Sequence, residues 1–136
     1  MRIAVVSVPG QRKGIPDYVK SLAKGMESMG HRVDIIDAWT EDGFRLPGYE
    51  YIAICAEAAS AWGGKMPDAL PKILGAGSGL VGKKSAAFFK KSGPLFVNKA
   101  LSNLMRAMEK EGMLVNWSEI LLNAAHAEAL GKRIGA

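Results

Sequence analysis

The sequence has few of the residues that build metal or disulfide sites. Its 136 residues include one cysteine, Cys55, and two histidines. A single cysteine cannot form an internal disulfide, and Cys55 has no Cys or His neighbour at metal-ligand spacing. His126 has no Ser, Asp or Cys at the spacing of a hydrolytic triad. We therefore expect no disulfide, no metal site and no catalytic side chain, and we interpret Cys55 as a small buried hydrophobe.

The sequence also lacks a long apolar run. Its first residues, MRIAVVSV, are too few to span a bilayer and carry no cleavage site of small residues. About half of the residues are apolar, which is enough for one hydrophobic core. We expect a single domain over residues 1–136, located in the cytoplasm and without membrane contact.

Acidic residues are scarce in the second half of the chain. Residues 69–136 hold 10 Lys and Arg against 4 Asp and Glu, and the net charge of the whole chain is +5. Aromatic residues are not interleaved with the basic ones, so binding to nucleic acid is not favoured over a solvated basic face. The charge is also compatible with a small anionic ligand or an acidic partner protein.

Apolar runs alternate with amphipathic segments along the chain. Short β-branched or apolar runs predict strands, and apolar residues at intervals of three and four predict helices. The predicted strands are 2–8, 32–37, 51–56, 84–89 and 113–117, and the predicted helices run from Pro16 to Gly30, 69–75, 97–112 and about 124–134. This alternation predicts right-handed βαβ units and a parallel sheet with helices on both faces.

The stretch GSGLVGKKS, residues 77–85, has the spacing of a phosphate-binding P-loop. A P-loop needs a strand before it and a helix after it, so that free backbone N–H groups point at the phosphates. Here a predicted helix precedes the stretch and a predicted strand follows it. We therefore interpret it as a connection at the edge of the sheet away from the ligand site, and not as a nucleotide site.

Three glycine-bearing loops follow the carboxyl ends of predicted strands, where ligands bind in open α/β sheets. They read SVPGQRKGIPD, AEAASAWGGKMP and KKSGPLF. The first meets a helix N-terminus, whose unpaired N–H groups suit an anion. Arg12 and Lys13 in this loop are either anion ligands or solvated charges, and the same alternatives hold for Lys90 and Lys91 in the third.

Segments along the whole chain resemble the flavodoxin-like family, which includes NAD(P)H:quinone oxidoreductase relatives. The resembling segments are the first strand, loop and helix, KGMESMGHRVDIIDA, YEYIAICAEAASAWGGKMPDAL, VGKKSAAFF and the ending LGKRIGA. The resemblance implies a flavodoxin-like, doubly wound α/β domain with a five-stranded parallel sheet of order 2-1-3-4-5. It also implies non-covalent FMN and electron transfer, and it leaves open a flavin-dependent oxidoreductase activity.

The resemblance places the cofactor-binding residues on the three loops. Trp62 would either stack on the flavin ring or cover apolar surface. The implied FMN-binding residues are Ser7, Gly10, Gln11, Arg12, Lys13 and Gly14 in the first loop, Trp62 and Gly63 in the second, and Lys91, Ser92 and Gly93 in the third.

The first loop departs from the family pattern, which is roughly Ser/Thr-x-Thr-Gly-x-Thr. It keeps Ser7 but contains no Thr, and Pro9 and Pro16 each lack an amide donor. Glu57, after the third strand, stands where it would repel an anionic cofactor. Two functions therefore remain: an FMN-binding redox protein, or a degenerate module without flavin that acts as an interaction or small-anion-binding domain.

Overall fold

The computed structural model describes residues 1–59, 64–76, 79–91 and 96–134. The helices and strands alternate as the sequence predicts. The strands are β1 (Arg2–Val8), β2 (Arg32–Asp37), β3 (Tyr51–Ala56), β4 (Lys84–Lys90) and β5 (Leu114–Leu121), and the helices are α1 (Asp17–Ser28), α2 (Ala69–Ala76), α3 (Val97–Lys110) and α4 (Ala124–Gly131).

The five strands form one parallel sheet in the order β2-β1-β3-β4-β5. This confirms both the predicted fold class and the implied strand order. Burial explains why the interior strands β1 and β3 have nearly continuous apolar sequences: all six residues of β3 are buried, and so is all of β1 except Arg2. A strand covered by helices on both faces has no polar side to expose.

Helices cover both faces of the sheet. On one face α2 and α3 pack on a core that includes Val6, Ile54 and Leu104. On the other face α1 and α4 pack on a core that includes Val5 and Leu22. In α3 the predicted apolar stripe is centred on buried residues Ala100, Leu104 and Met108, while Val97, Leu101 and Met105 beside it are partly buried.

Two glycines allow α1 and α4 to cross in close contact. A Cβ atom on Gly25 would overlap the carbonyl oxygen of Glu128 and lie 3.1 Å from the Cα of Gly131. A Cβ on Gly131 would overlap the carbonyl oxygen of Leu22. Only glycine fits at these positions without moving the helices apart.

Several element boundaries differ from the sequence prediction, and the largest difference is at the end of β5. Strand β5 continues to Leu121, because residues Trp117 to Leu121 pair with β4 although Ser118 and Glu119 interrupt the apolar run. An edge strand needs no continuous apolar pattern. Helix α1 begins at Asp17, with Pro16 as the cap before it, and α4 ends at Gly131.

Candidate functional site

The strand register brings the first loop beside the residue that follows β3. Ser7 pairs with Cys55 and Val8 with Ala56, so the two strands end level with each other. The backbone N–H of Glu57 then donates to the carbonyl oxygen of Val8 at 3.0 Å, which extends the pairing by one residue. Glu57 is thereby held next to the loop that the sequence predicts to bind an anion.

The carboxylate of Glu57 accepts hydrogen bonds from three groups of the β1–α1 region. Its Oε1 accepts from the backbone N–H of Gly10 at 3.0 Å and from Nζ of Lys13 at 2.8 Å. Its Oε2 accepts from the hydroxyl of Tyr18 at 2.7 Å. We call these three donors the cradle. The Glu57 side chain is 14% exposed and that of Lys13 is 43% exposed, so the cradle meets solvent on the Lys13 side.

The pKa shifts of Glu57 and Tyr18 agree with these hydrogen-bond directions. Burial alone would raise the pKa of Glu57, but hydrogen bonds from Lys13, Tyr18 and Gly10 together hold its pKa below the ordinary value. Burial, and then the hydrogen bond to Glu57, raise the pKa of Tyr18. At neutral pH, therefore, Glu57 is ionised and accepts, while Tyr18 is neutral and donates.

The backbone around the cradle is fixed by neighbouring segments. The indole Nε1 of Trp39 donates to the carbonyl oxygen of Pro9 at 2.8 Å. A Cβ atom on Gly10 would lie 2.5 Å from the carbonyl oxygen of Ala58. Gly10 is therefore required because the backbone after β3 passes directly over it.

Ser7 has a buried hydroxyl without a partner among the described residues. Its side chain is fully buried, and its Oγ forms no hydrogen bond within that part of the chain. Ser7 shares a sheet face with Val5, because residues two apart on a strand point to the same side. Val5 packs in the same core as Tyr18, so the hydroxyl lies on the α1 side of the sheet at the end of β1.

The other predicted residues of the first loop are exposed. Gln11, Arg12 and Gly14 all face solvent, and Gly14 has a φ of 81°, which glycine adopts readily. The side chain of Arg12 forms no ion pair with any described residue. Lys13 does contact an anion, but that anion is the Glu57 carboxylate.

The second and third loops are described only in part. The predicted residues Trp62, Gly63, Ser92 and Gly93 lie outside the described residues. Lys91 is exposed and lines a cleft of about 310 Å³ with Val97, Asn98, Ile120 and Leu122. The Nζ of Lys90 lies 5.8 Å from the centre of the ring of Tyr18, a member of the cradle.

The described part of the P-loop-like stretch, residues 79–85, follows α2 and leads into β4, as the sequence predicts. The Nζ of Lys83 donates to the carbonyl oxygen of Pro47 at 2.8 Å, and the N–H of Gly82 donates to the carbonyl oxygen of Gly112 at 2.8 Å. Lys83 therefore anchors the β2–β3 crossover at the amino-terminal edge of the sheet, opposite the cradle.

Sequence reasoning missed two members of the site. Tyr18 is buried on the apolar side of α1 with Val19. Its position in the first turn, beside the loop, is the one sequence signal of a polar role. The bond from Trp39 to Pro9 joins segments 30 residues apart, and no local pattern predicts it. Glu57 was expected to repel an anion, but its role as the occupant of the cradle was not predicted.

The described residues contain neither a cluster of metal ligands nor a helix that could span a bilayer. No group of three or more His, Cys, Asp or Glu side chains in that part of the chain is placed to hold a metal ion. None of its helices reaches the length and apolar content of a bilayer span.

Solved structures of flavodoxins match nearly the whole chain. Oxidised flavodoxin 1 from Bacillus cereus has a TM-score of 0.71 at 17% identity, covering 96% of this chain and 95% of its own. A flavodoxin from the domain Archaea has a TM-score of 0.68 at 19% identity, covering 98% and 96%. Two-electron reduced Megasphaera elsdenii flavodoxin has a TM-score of 0.68 at 14% identity, covering 96% of each chain.

The protein therefore has the flavodoxin-like fold. No protein-family model matches the sequence, and no curated protein matches it either. At these identities the structural likeness defines the fold and does not define the ligand.

The donors of the cradle suit the phosphate of FMN, the cofactor implied by the resemblance. A backbone N–H, an ammonium group and a hydroxyl are donors that hold oxyanions, whether carboxylate or phosphate. The buried hydroxyl of Ser7 adds a group without a partner in the described chain. The described residues therefore fit a phosphate, provided that the carboxylate of Glu57 leaves the cradle.

Proposed function

We propose that the protein binds FMN at the carboxyl ends of its strands and acts as a small electron-transfer protein. The observation that carries this proposal is the convergence of three donors, from Gly10, Lys13 and Tyr18, on one oxyanion position at the end of β1. The fold supports it, because ligands bind at this edge of open α/β sheets, where the strand order reverses.

The chain's own residues would bind and orient the cofactor. Gly10, Lys13 and Tyr18 would hold the phosphate, Ser7 would supply a further hydroxyl, and Arg12 a second positive charge. When bound, the flavin supplies one- or two-electron transfer, and the protein sets its potential through nearby charge. A flavin-dependent oxidoreductase activity would use the same site. By resemblance, the loop positions Gln11, Gly14, Trp62, Gly63, Lys91, Ser92 and Gly93 complete the cofactor site.

The charge of the chain supports an acidic partner in this role. Residues 69–136 carry 10 basic and 4 acidic side chains. Lys91, directly after β4, and Lys99, on α3, are both exposed. Complementary charge speeds the encounter of two proteins. An acidic redox protein in the cytoplasm would fit this surface.

Glu57 favours a second candidate function. Its carboxylate already uses the donors that a phosphate needs, and Pro9 and Pro16 have no N–H to add. A flavodoxin-fold module without flavin, acting as an interaction or small-anion-binding domain, would have these features.

Flavin titration separates the two candidates. Purified protein is titrated with FMN and with riboflavin, following quenching of flavin fluorescence and the flavin absorbance bands. The proposal predicts saturable binding with FMN bound more tightly than riboflavin, and weaker FMN binding in Arg12→Ala/Lys13→Ala but not in Lys99→Ala/Lys110→Ala, which removes the same charge from α3. If neither flavin binds to wild type or to Glu57→Ala, the module without flavin is the better account.

A further inference from the structure

We infer that Glu57 is a built-in competitor for the anion site, whose carboxylate occupies the place of the ligand's phosphate and must leave before a phosphate-bearing ligand binds. The inference concerns the site of the proposed function, and it rests on that function only for the identity of the natural ligand. Any phosphate monoester, or inorganic phosphate, presents the same chemistry to the cradle.

While Glu57 occupies the cradle, only Lys13 has hydrogens left for a second anion. The backbone N–H of Gly10 has one hydrogen and Tyr18 has one hydroxyl hydrogen, and both are directed at Glu57. Lys13 has three ammonium hydrogens, of which the carboxylate takes one. Of the three cradle donors, a phosphate placed beside the carboxylate could therefore use Lys13 alone, and it would face a like charge within a few ångströms.

The carboxylate of Glu57 can leave the cradle without disturbing the sheet. The backbone of Glu57 is fixed by the bond from its N–H to the carbonyl of Val8. Its carboxylate, in contrast, is at the end of a side chain with rotatable bonds. The Glu57 side chain is itself 14% exposed and its partner Lys13 is 43% exposed, so the ion pair lies at the protein surface, where the carboxylate can exchange Lys13 for water.

The buried hydroxyl of Ser7 is a further donor that the Glu57 carboxylate does not use. It lies at the end of β1 on the face that carries Tyr18, and it has no partner among the described residues, the Glu57 carboxylate included. An unpaired buried hydroxyl costs free energy. A phosphate has more acceptor oxygens than a carboxylate, so it can use a donor that Glu57 leaves unpaired.

Glu57 would therefore inhibit the binding of phosphate-bearing ligands to the protein's own anion site. Removing the Glu57 charge should strengthen the binding of phosphate-bearing ligands and leave neutral ones unchanged. Glu57→Ala empties the cradle. Glu57→Gln keeps a side chain of the same shape there, because its carbonyl can accept from Gly10 and Lys13 while its amide donates to the oxygen of Tyr18.

The experiment is calorimetric titration of inorganic phosphate into wild type, Glu57→Ala, Glu57→Gln and the control Glu109→Ala, which removes an exposed acidic residue from α3. The amide resonance of Gly10 is followed by NMR in the same titrations. We expect phosphate to bind Glu57→Ala at least about tenfold more tightly than wild type, since like charges a few ångströms apart repel by several times RT. Glu57→Gln should lie between the two, and Glu109→Ala should match wild type.

The outcomes separate this inference from the proposed function. If Glu57→Ala gains phosphate affinity and shifts the Gly10 resonance but no variant binds FMN, the inference holds and the FMN proposal fails. If wild type binds FMN as tightly as Glu57→Ala does, the proposal holds and the inference is overturned. Equal phosphate affinity in wild type and both Glu57 variants also overturns it, and circular dichroism confirms that each variant is folded. If Glu57→Ala does not fold, the same comparison is made with Glu57→Gln.

Discussion

The backbone N–H of Gly10 donates to the carboxylate of Glu57 at 3.0 Å, so the residue that follows β3 closes the loop that follows β1. The two residues are 47 positions apart, and strand pairing brings them together. In open α/β sheets ligands bind at this edge. The contact therefore bears both on the stability of the protein and on the proposed ligand site.

Stability should depend on pH through Glu57. Because the pKa of Glu57 is lowered in the folded state, its stabilising contribution is complete above the unfolded pKa of about 4.3 and is lost as the pH falls through the folded pKa. The titratable groups that face it are the ammonium of Lys13 and the neutral hydroxyl of Tyr18, and the ammonium of Lys90 lies beyond the Tyr18 ring. Urea unfolding should show wild type more stable than Glu57→Gln at pH 7, and the difference should shrink below about pH 4. A difference that stays constant from pH 7 to pH 3 would show that Glu57 does not have this lowered pKa.

Substitution of Gly10 should strain the closed loop. In Gly10→Ala the new Cβ would lie 2.5 Å from the carbonyl oxygen of Ala58, and relief of this overlap should cost about 1–3 kcal/mol of unfolding free energy. The control is Gly48→Ala, where nothing lies within 4 Å of the added Cβ. Equal stability of the two variants by urea unfolding would contradict the close approach of Ala58.

Substitution of Gly25 tests the crossing of α1 and α4. Gly25→Ala would place a methyl group against Glu128 and Gly131, and overpacking of this kind costs about 1–3 kcal/mol, or more against a rigid backbone. The control Gly75→Ala in α2 meets nothing within 4 Å and should be neutral or stabilising by up to about 1 kcal/mol, as expected for alanine in a helix. Gly25→Ala should therefore lower the unfolding free energy, and Gly75→Ala should not. Equal unfolding free energies of the two variants would contradict the close contact between α1 and α4.

Lys83 should matter for stability and not for ligands. Lys83→Ala removes the hydrogen bond to Pro47 and should lower the unfolding free energy by about 1 kcal/mol. FMN affinity should stay at the wild-type value, and ATP should not bind to either protein. ATP binding by wild type that disappears in Lys83→Ala would reverse the interpretation of residues 77–85 as a connection.

The sequence predicts the fold well because the fold depends on local patterns. The continuous apolar runs of β1 and β3 indicate buried parallel strands, and the alternation with helices limits the topology. Strand β5 is longer than predicted because its second half is held by pairing to β4, and Ser118 and Glu119 do not interrupt that pairing. Backbone pairing does not require an apolar side chain.

The site is predicted less completely, because it depends on contacts between distant segments. The sequence of the first loop already makes Lys13 and Gly10 candidates for binding an anion. The donor role of Tyr18 is not, because the same residue also fits the buried stripe of α1. Whether Glu57 repels a ligand from outside the loop or sits inside it is a matter of side-chain geometry, which sequence pattern does not define.

The measurement that tests this account most directly is the ratio of the riboflavin Kd to the FMN Kd, in wild type and in Glu57→Ala. The two ligands share a ring and differ by the phosphate, so the ratio reports the phosphate contacts alone. The account predicts a ratio above one in wild type, a rise of at least about tenfold in Glu57→Ala from loss of like-charge repulsion, and a fall when Lys13→Ala is added. A ratio that is the same in all three proteins would contradict both the cradle and the competing role of Glu57.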